Sequence, residues 1–274
     1  MTIDLNGHEI TINDGAANVI AADVTIMDTE YSDPSFFEGQ GTSTGGIVKK
    51  TTGEAFVVVN NGKLTLKSGN IVSERTNALR AQNGGEIIID GGYIKAQETA
   101  IMATGRASMI TINDGYLETV DNFVVGGNGN ASSAGTVIEI NGGTFFGHVV
   151  SDGYIACGIH HPQNGLLVIN GGDFYIENGV GLLVRSGNVT VNNVNITTTG
   201  NISGKVADSK ILIDCNDVCI DMKSAYSEAN STHVEIKNGT FIAAEEVNSV
   251  MLLTDNQEAD AERLIVSGGT FSKS

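Results

Sequence analysis

The chain has 274 residues, 41% apolar and 17% charged, so it can bury a large core and does not have the composition of a disordered protein. Its 35 glycines follow no G-X-Y period, which excludes collagen. A formal net charge of −17 disfavours nucleic acid as a partner, and no apolar run is long enough for a membrane-spanning helix.

From the N-terminus, residues 1–12 alternate apolar and polar, with Asp4, His8 and Glu9 between apolar positions. This is strand patterning rather than a leader peptide. The pattern returns at 24–29 and is followed by a long interruption over 31–50. From residue 64 a motif becomes regular: apolar, any residue, apolar, then a short polar turn. It reads Leu64-Thr-Leu-Lys-Ser-Gly69, Ile87-Ile-Ile-Asp-Gly-Gly92 and Ile110-Thr-Ile-Asn-Asp-Gly115. It continues as Ile138-Glu-Ile-Asn-Gly-Gly143 and Leu167-Val-Ile-Asn-Gly-Gly172, then at 189–194, 211–216, 234–239 and 264–269. With the copies at 3–8 and 24–29 there are eleven. The sixth residues of the uninterrupted copies lie 22 or 23 apart (69, 92, 115; 172, 194, 216, 239). A second strand in each repeat is predicted at 55–59, 100–103, 122–125, 154–157 and 180–184. The interruptions at 31–50, 126–135, 147–153, 160–165 and 254–262 read as inserted loops.

Alignment on the sixth residue gives three apolar columns. Five residues earlier stand Ile3, Val24, Leu64, Ile87, Ile110, Ile138, Leu167, Val189, Ile211, Val234 and Leu264. Three earlier, the column includes Leu66, Ile89, Ile112, Ile140 and Ile236. Two later, it includes Ile10, Tyr31, Ile71, Ile94, Leu117, Phe145, Phe174, Val218, Phe241 and Phe271. The residues between are mostly polar, which is the alternation of a strand with one buried face. A unit of 22 residues cannot bury its own apolar face, so neighbours must stack. The sequence therefore predicts an all-β fold over 1–274. It is a single domain, a right-handed single-stranded parallel β-helix of about eleven coils. With strands about 4.8 Å apart, the stack would be roughly 50 Å long.

The opening Thr2-Ile-Asp-Leu-Asn-Gly-His-Glu-Ile-Thr11 and the Gly-Gly-Thr-Phe strings at 142–145 and 268–271 resemble pectate-lyase-like β-helix proteins. The similarity is greatest to β-helix regions of Gram-positive surface proteins and of phage fibres or spikes. It implies a fold rather than an activity, because one fold hosts many functions. The acidic calcium ligands and basic arginine or lysine of pectate lyases find no counterpart among the Asp, Arg and Lys positions here, so no catalytic residue is carried over.

Several residues remain as candidates. The turn column Lys67, Asp90, Asn113, Asn141, Asn170, Asn192, Asp214 and Lys237 suits a hydrogen-bonded ladder of stacked amides. Tyr93 and Tyr116 share one outward column and would stack on adjacent coils, as packing or as a sugar platform. His148, Asp152, His160 and His161 fall on neighbouring insertions, where they would be solvated loop residues or a metal or acid–base site. No cofactor is implied. Calcium is the ion that Asp173, Glu177, Asp214, Asp217 and Asp221 would suit, although their spacing matches no known loop. Cys157, Cys215 and Cys219 form no C-x-x-C pair and read as packing residues.

The expected function is a non-enzymatic structural or binding module of an extracellular assembly. A phage virion appendage, released by lysis, fits best. A bacterial surface adhesin fragment and a polysaccharide lyase or glycoside hydrolase are the alternatives. The expected partners are a surface glycan or protein receptor, and virion or cell-wall proteins that cover the exposed coil edges. Trimeric assembly would follow from the resemblance to spikes. The expected location is the virion or the cell surface.

Overall fold

The computed structural model describes residues 1–13, 18–37, 40–58, 60–129, 134–148, 156–200, 204–208, 211–215, 220–222, 232–245, 250–253 and 264–272. The insertion expected at 254–262, together with Asp217 and Cys219, lies outside them. Among the described residues every regular element is a β-strand, and no helix is long and apolar enough to cross a membrane.

Among the described residues, three long parallel sheets carry the chain, two of ten strands and one of nine. The chain visits them in turn. Glu86–Ile89 lies in the first sheet, Tyr93–Ala96 in the second and Ile101–Thr104 in the third. Met109–Ile112 then returns to the first, directly beside Glu86–Ile89. Parallel neighbours need a long connection between them, and here it consists of the strands of the other two sheets.

Pairing is in register with the repeat. In the first sheet Val24 faces Leu64, then Ile87, Ile110, Ile138, Leu167, Val189, Val234 and Leu264. Ile112 lies opposite Ile140, as the column alignment requires. In the second sheet Ile71, Ile94, Leu117, Phe145, Phe174, Ile196, Phe241 and Phe271 succeed one another. These side chains are buried except at the last strand, and the Phe145 and Phe174 rings stack in parallel at 4.1 Å. The third sheet adds Leu79, Ile101, Val125, Ile159 and Leu182 to the same apolar cluster. Removing one such side chain from water is worth about 1.5–3 kcal/mol, so the shared core holds each layer to the next.

Between the first and second sheets the chain turns on Asp90-Gly91-Gly92. Gly92 has φ +90°, and a Cβ there would sit 2.7 Å from the Gly69 carbonyl oxygen below it. The adjacent turn column forms the expected ladder. Asn113 Nδ2 donates to Asp90 Oδ1 (2.7 Å), Asn141 to Asn113 (2.9 Å), Asn170 to Asn141 (2.8 Å) and Asn192 to Asn170 (2.7 Å).

Three assignments are corrected. The copy at 211–216 is not a layer of the first sheet. Ile211–Cys215 pairs antiparallel with Gly204–Asp208, and Val189 pairs directly with Val234. The first sheet thus holds ten of the eleven copies among the described residues. Asp214 leaves the ladder with its strand: the direct partners Val189 and Val234 are 45 positions apart, two repeat lengths, so the inserted chain that carries the hairpin imitates a coil by length. Likewise Tyr31 does not enter the second column. Val48 fills that place between Ile10 and Ile71, while Ser32–Phe37 and Gln40–Thr44 form another antiparallel hairpin. Finally, Ile3 pairs with Ile26 rather than Val24, a two-residue shift that keeps the same face inward.

Candidate functional site

The outward face of the second sheet carries most of the candidate chemistry. Tyr93 and Tyr116 are direct register partners, as their shared column requires. They do not form an open platform, because Tyr93 is only 5% exposed. Its hydroxyl donates to Glu118 (2.5 Å), which also accepts from Lys95 Nζ at 2.7 Å. Burial, reinforced by the Glu118 carboxylate, pushes the Tyr93 phenol well above its ordinary range, so it remains a donor. The hairpin after Tyr31 crosses this region, with Ser43 Oγ hydrogen-bonded to Asn70 Oδ1. Tyr31 and Asp33 act electrostatically on the tyrosines beneath.

His160 and His161 are not solvated loop residues. They end the third-sheet strand Ala156–His161, and both are buried. That strand runs farther than the apolar string at 154–157 suggested. His160 packs its ring on Phe123 at 4.2 Å between centroids. His161 aligns with Val184, and Val184 with Met222. Neither ring nitrogen of His161 makes a hydrogen bond of good geometry. Burial lowers its pKa from 6.5 to about 4, against a smaller raising effect of the Gly165 backbone, so the ring is neutral at pH 7. The buried Gln163, whose side-chain amide presses against Gly127, lies just beyond it.

His148 does not share a strand with His160 and His161. It follows Thr144–Gly147 in the second sheet, and its Nδ1 lies 3.1 Å from Glu177 Oε2 on the neighbouring strand Asp173–Glu177. Asp152 lies outside the described residues. The side chains of Asp214 and Asp221 are likewise undescribed. Among the described residues no three His, Cys, Asp or Glu side chains gather as a metal site requires. Cys157 is fully buried, in keeping with a packing role.

The His148–Glu177 pair borders a groove of about 320 Å³ lined by Phe146, Tyr175, Ile176, Thr197 and Thr199 as well. Phe146 and Tyr175 are register partners whose rings stack at 5.3 Å and 16°. Tyr175 is 47% exposed, so one aromatic ring is open to solvent beside polar hydrogen-bonding groups. This pair does not lie in the column immediately after the repeat anchor, which holds Tyr93 and Tyr116. The signal was legible two positions on: in Thr144-Phe-Phe146 and Asp173-Phe-Tyr175 one aromatic residue must point in and its neighbour out.

The arrangement offers an apolar ring face, a carboxylate acceptor, an imidazole and two hydroxyls within one shallow concavity. Such a set binds an amphipathic, hydroxyl-rich ligand. Comparison with protein-family models, with curated proteins and with solved structures finds no match.

Proposed function

We propose that the chain is a right-handed parallel β-helix, pectate-lyase-like in outline, serving as a non-enzymatic structural and binding module of an extracellular assembly. A phage virion appendage is the reading we favour, with a bacterial surface adhesin as its close variant. The in-register sheets support a stiff scaffold, and the handedness follows the near-universal preference of parallel crossovers. Apolar Ile10 and Val19 at one outermost layer, and Val266 at the other, are exposed. They support cover by a neighbouring protein or a further segment.

The observation that carries the binding role is the solvent-open Tyr175 ring stacked on Phe146 beside His148 and Glu177. An aromatic face open to solvent beside hydrogen-bonding groups suits an amphipathic ligand, and sugar C–H faces pack on such rings. Glu177 is the one carboxylate among the described lining residues. The two-carboxylate mechanism of glycoside hydrolysis needs a second, which favours binding over cleavage.

The test is a glycan array and a panel of cell-surface extracts probed with wild-type protein and Tyr175→Ala. A retained ligand whose affinity falls about tenfold or more in the variant, a loss of about 1.4 kcal/mol, supports the reading. Binding that is indifferent to Tyr175, or release of cleaved glycan, overturns it.

A further inference from the structure

We infer that this groove takes an extended chain of uncharged, β-linked pyranose sugars laid across the strands, one ring per strand. The inference rests on the glycan reading above and narrows it to a class and an orientation.

The groove is built from two outward columns over three consecutive strands. One column is Phe146, Tyr175 and Thr197, joined by register. The other is His148, Glu177 and Thr199, with Glu177 and Thr199 also in register. Its long direction therefore runs across the strands. Along that direction equivalent side chains recur at about 4.8 Å, and the two ring centroids are 5.3 Å apart. An extended β-linked pyranose chain advances by a closely similar step per sugar. Successive rings can then meet successive strands without strain accumulating. The apolar column does not stop at Thr197, because its register partner on the next strand is Ile242, which is 46% exposed. Phe146 itself is only 5% exposed and backs the Tyr175 ring, so on its strand a sugar would meet the partly exposed His148, and the open face runs from there through Tyr175 and Thr197 to a fourth strand at Ile242.

Charge selects the class of sugar. The chain carries a formal −17, and the Glu177 side chain is 58% exposed at the edge of the groove. The cationic form of His148 would face that same carboxylate. A uronate polymer would bring like charge to an acidic surface. Neutral or N-acetylated sugars meet no such repulsion, and their hydroxyls can donate to Glu177 and exchange hydrogen bonds with Thr197 and Thr199.

Calorimetric titration tests this with β-1,4-linked glucose and N-acetylglucosamine oligomers, from monosaccharide to hexasaccharide, and with β-1,4-linked glucuronate oligomers of matched length. Affinity is expected to rise with length to the tetrasaccharide, about tenfold or more over the monosaccharide, and then level off. The glucuronate oligomers, alike in linkage but charged, should bind about tenfold more weakly or not at all. Tyr175→Ala should lose binding, and Tyr175→Phe, which returns the stacking face, should recover most of that loss. Glucuronate oligomers that bind as well, or a monosaccharide that binds as tightly as the tetrasaccharide, overturn the inference but leave a glycan site in the groove. Failure of every sugar to bind correctly folded protein overturns both.

Discussion

The dry environment of His161 makes stability pH-dependent in a way that one substitution can isolate. The imidazole is fully buried, and its pKa falls from 6.5 to about 4. In the unfolded chain the same group takes up a proton near 6.5. Between those values the unfolded state binds more protons, so stability falls as pH falls from 6.5 towards 4. The interval of about 2.5 pH units, at about 1.4 kcal/mol each, comes to about 3 kcal/mol. Most of it should be lost by pH 4.5. In His161→Leu, an apolar side chain beside Val184, that component disappears while contributions from other titrating groups stay. Urea unfolding followed by tyrosine fluorescence at pH 7 and 4.5 gives the comparison. The wild type should lose about 2–3 kcal/mol more than the variant over this range. Equal losses in the two proteins would mean that the imidazole is hydrated or already paired, and the reasoning from burial would fail.

Two further outcomes probe the backbone. Gly92→Ala must hold a Cβ at φ +90° and 2.7 Å from the Gly69 carbonyl; it should cost at least about 1–2 kcal/mol, seen as a lower thermal midpoint. The direct pairing of Thr190 with Glu235 places their Cα atoms about 4.8 Å apart, within disulfide range. The double variant Thr190→Cys, Glu235→Cys should therefore crosslink on mild oxidation, as shown by mass spectrometry of the digest. Absence of the crosslink would restore the 211–216 copy as an intervening layer.

The fold was legible where a residue had to serve the same end in every repeat. The columns through Ile87, Ile110 and Ile138, and through Ile94, Leu117 and Phe145, pair as the sequence aligned them, because a one-residue slip would turn each face outward. The amide ladder from Asp90 to Asn192 was legible for the same reason. What misled was length. The chain between the partners Val189 and Val234, which carries the hairpin of 204–215, spans two repeat lengths, so periodicity alone does not separate the insertion from a coil. The third sheet was read only in part. Its small Ala81 and Ala103, paired across adjacent strands, carry little of the β-branched signal that marks a strand. At the site, the sequence points to His148, but nothing in it joins Glu177 to that histidine or distinguishes Tyr175 from other outward residues. Which outward residue stays open depends on what covers it. Tyr93 is covered and Tyr175 is not, a difference set by tertiary contacts that no single repeat encodes.

The two antiparallel hairpins have a consequence for how such a chain can change. Both leave at corners between sheets, and the flanking strands pair across them without a gap in either ladder. Ornament and backbone are thereby uncoupled: a corner excursion can grow, shrink or be exchanged while the inventory of inter-strand bonds stays the same. Reach along the axis is altered by adding or deleting whole repeats, and surface identity by editing corners. Natural variation or engineering can adjust either without renegotiating the other.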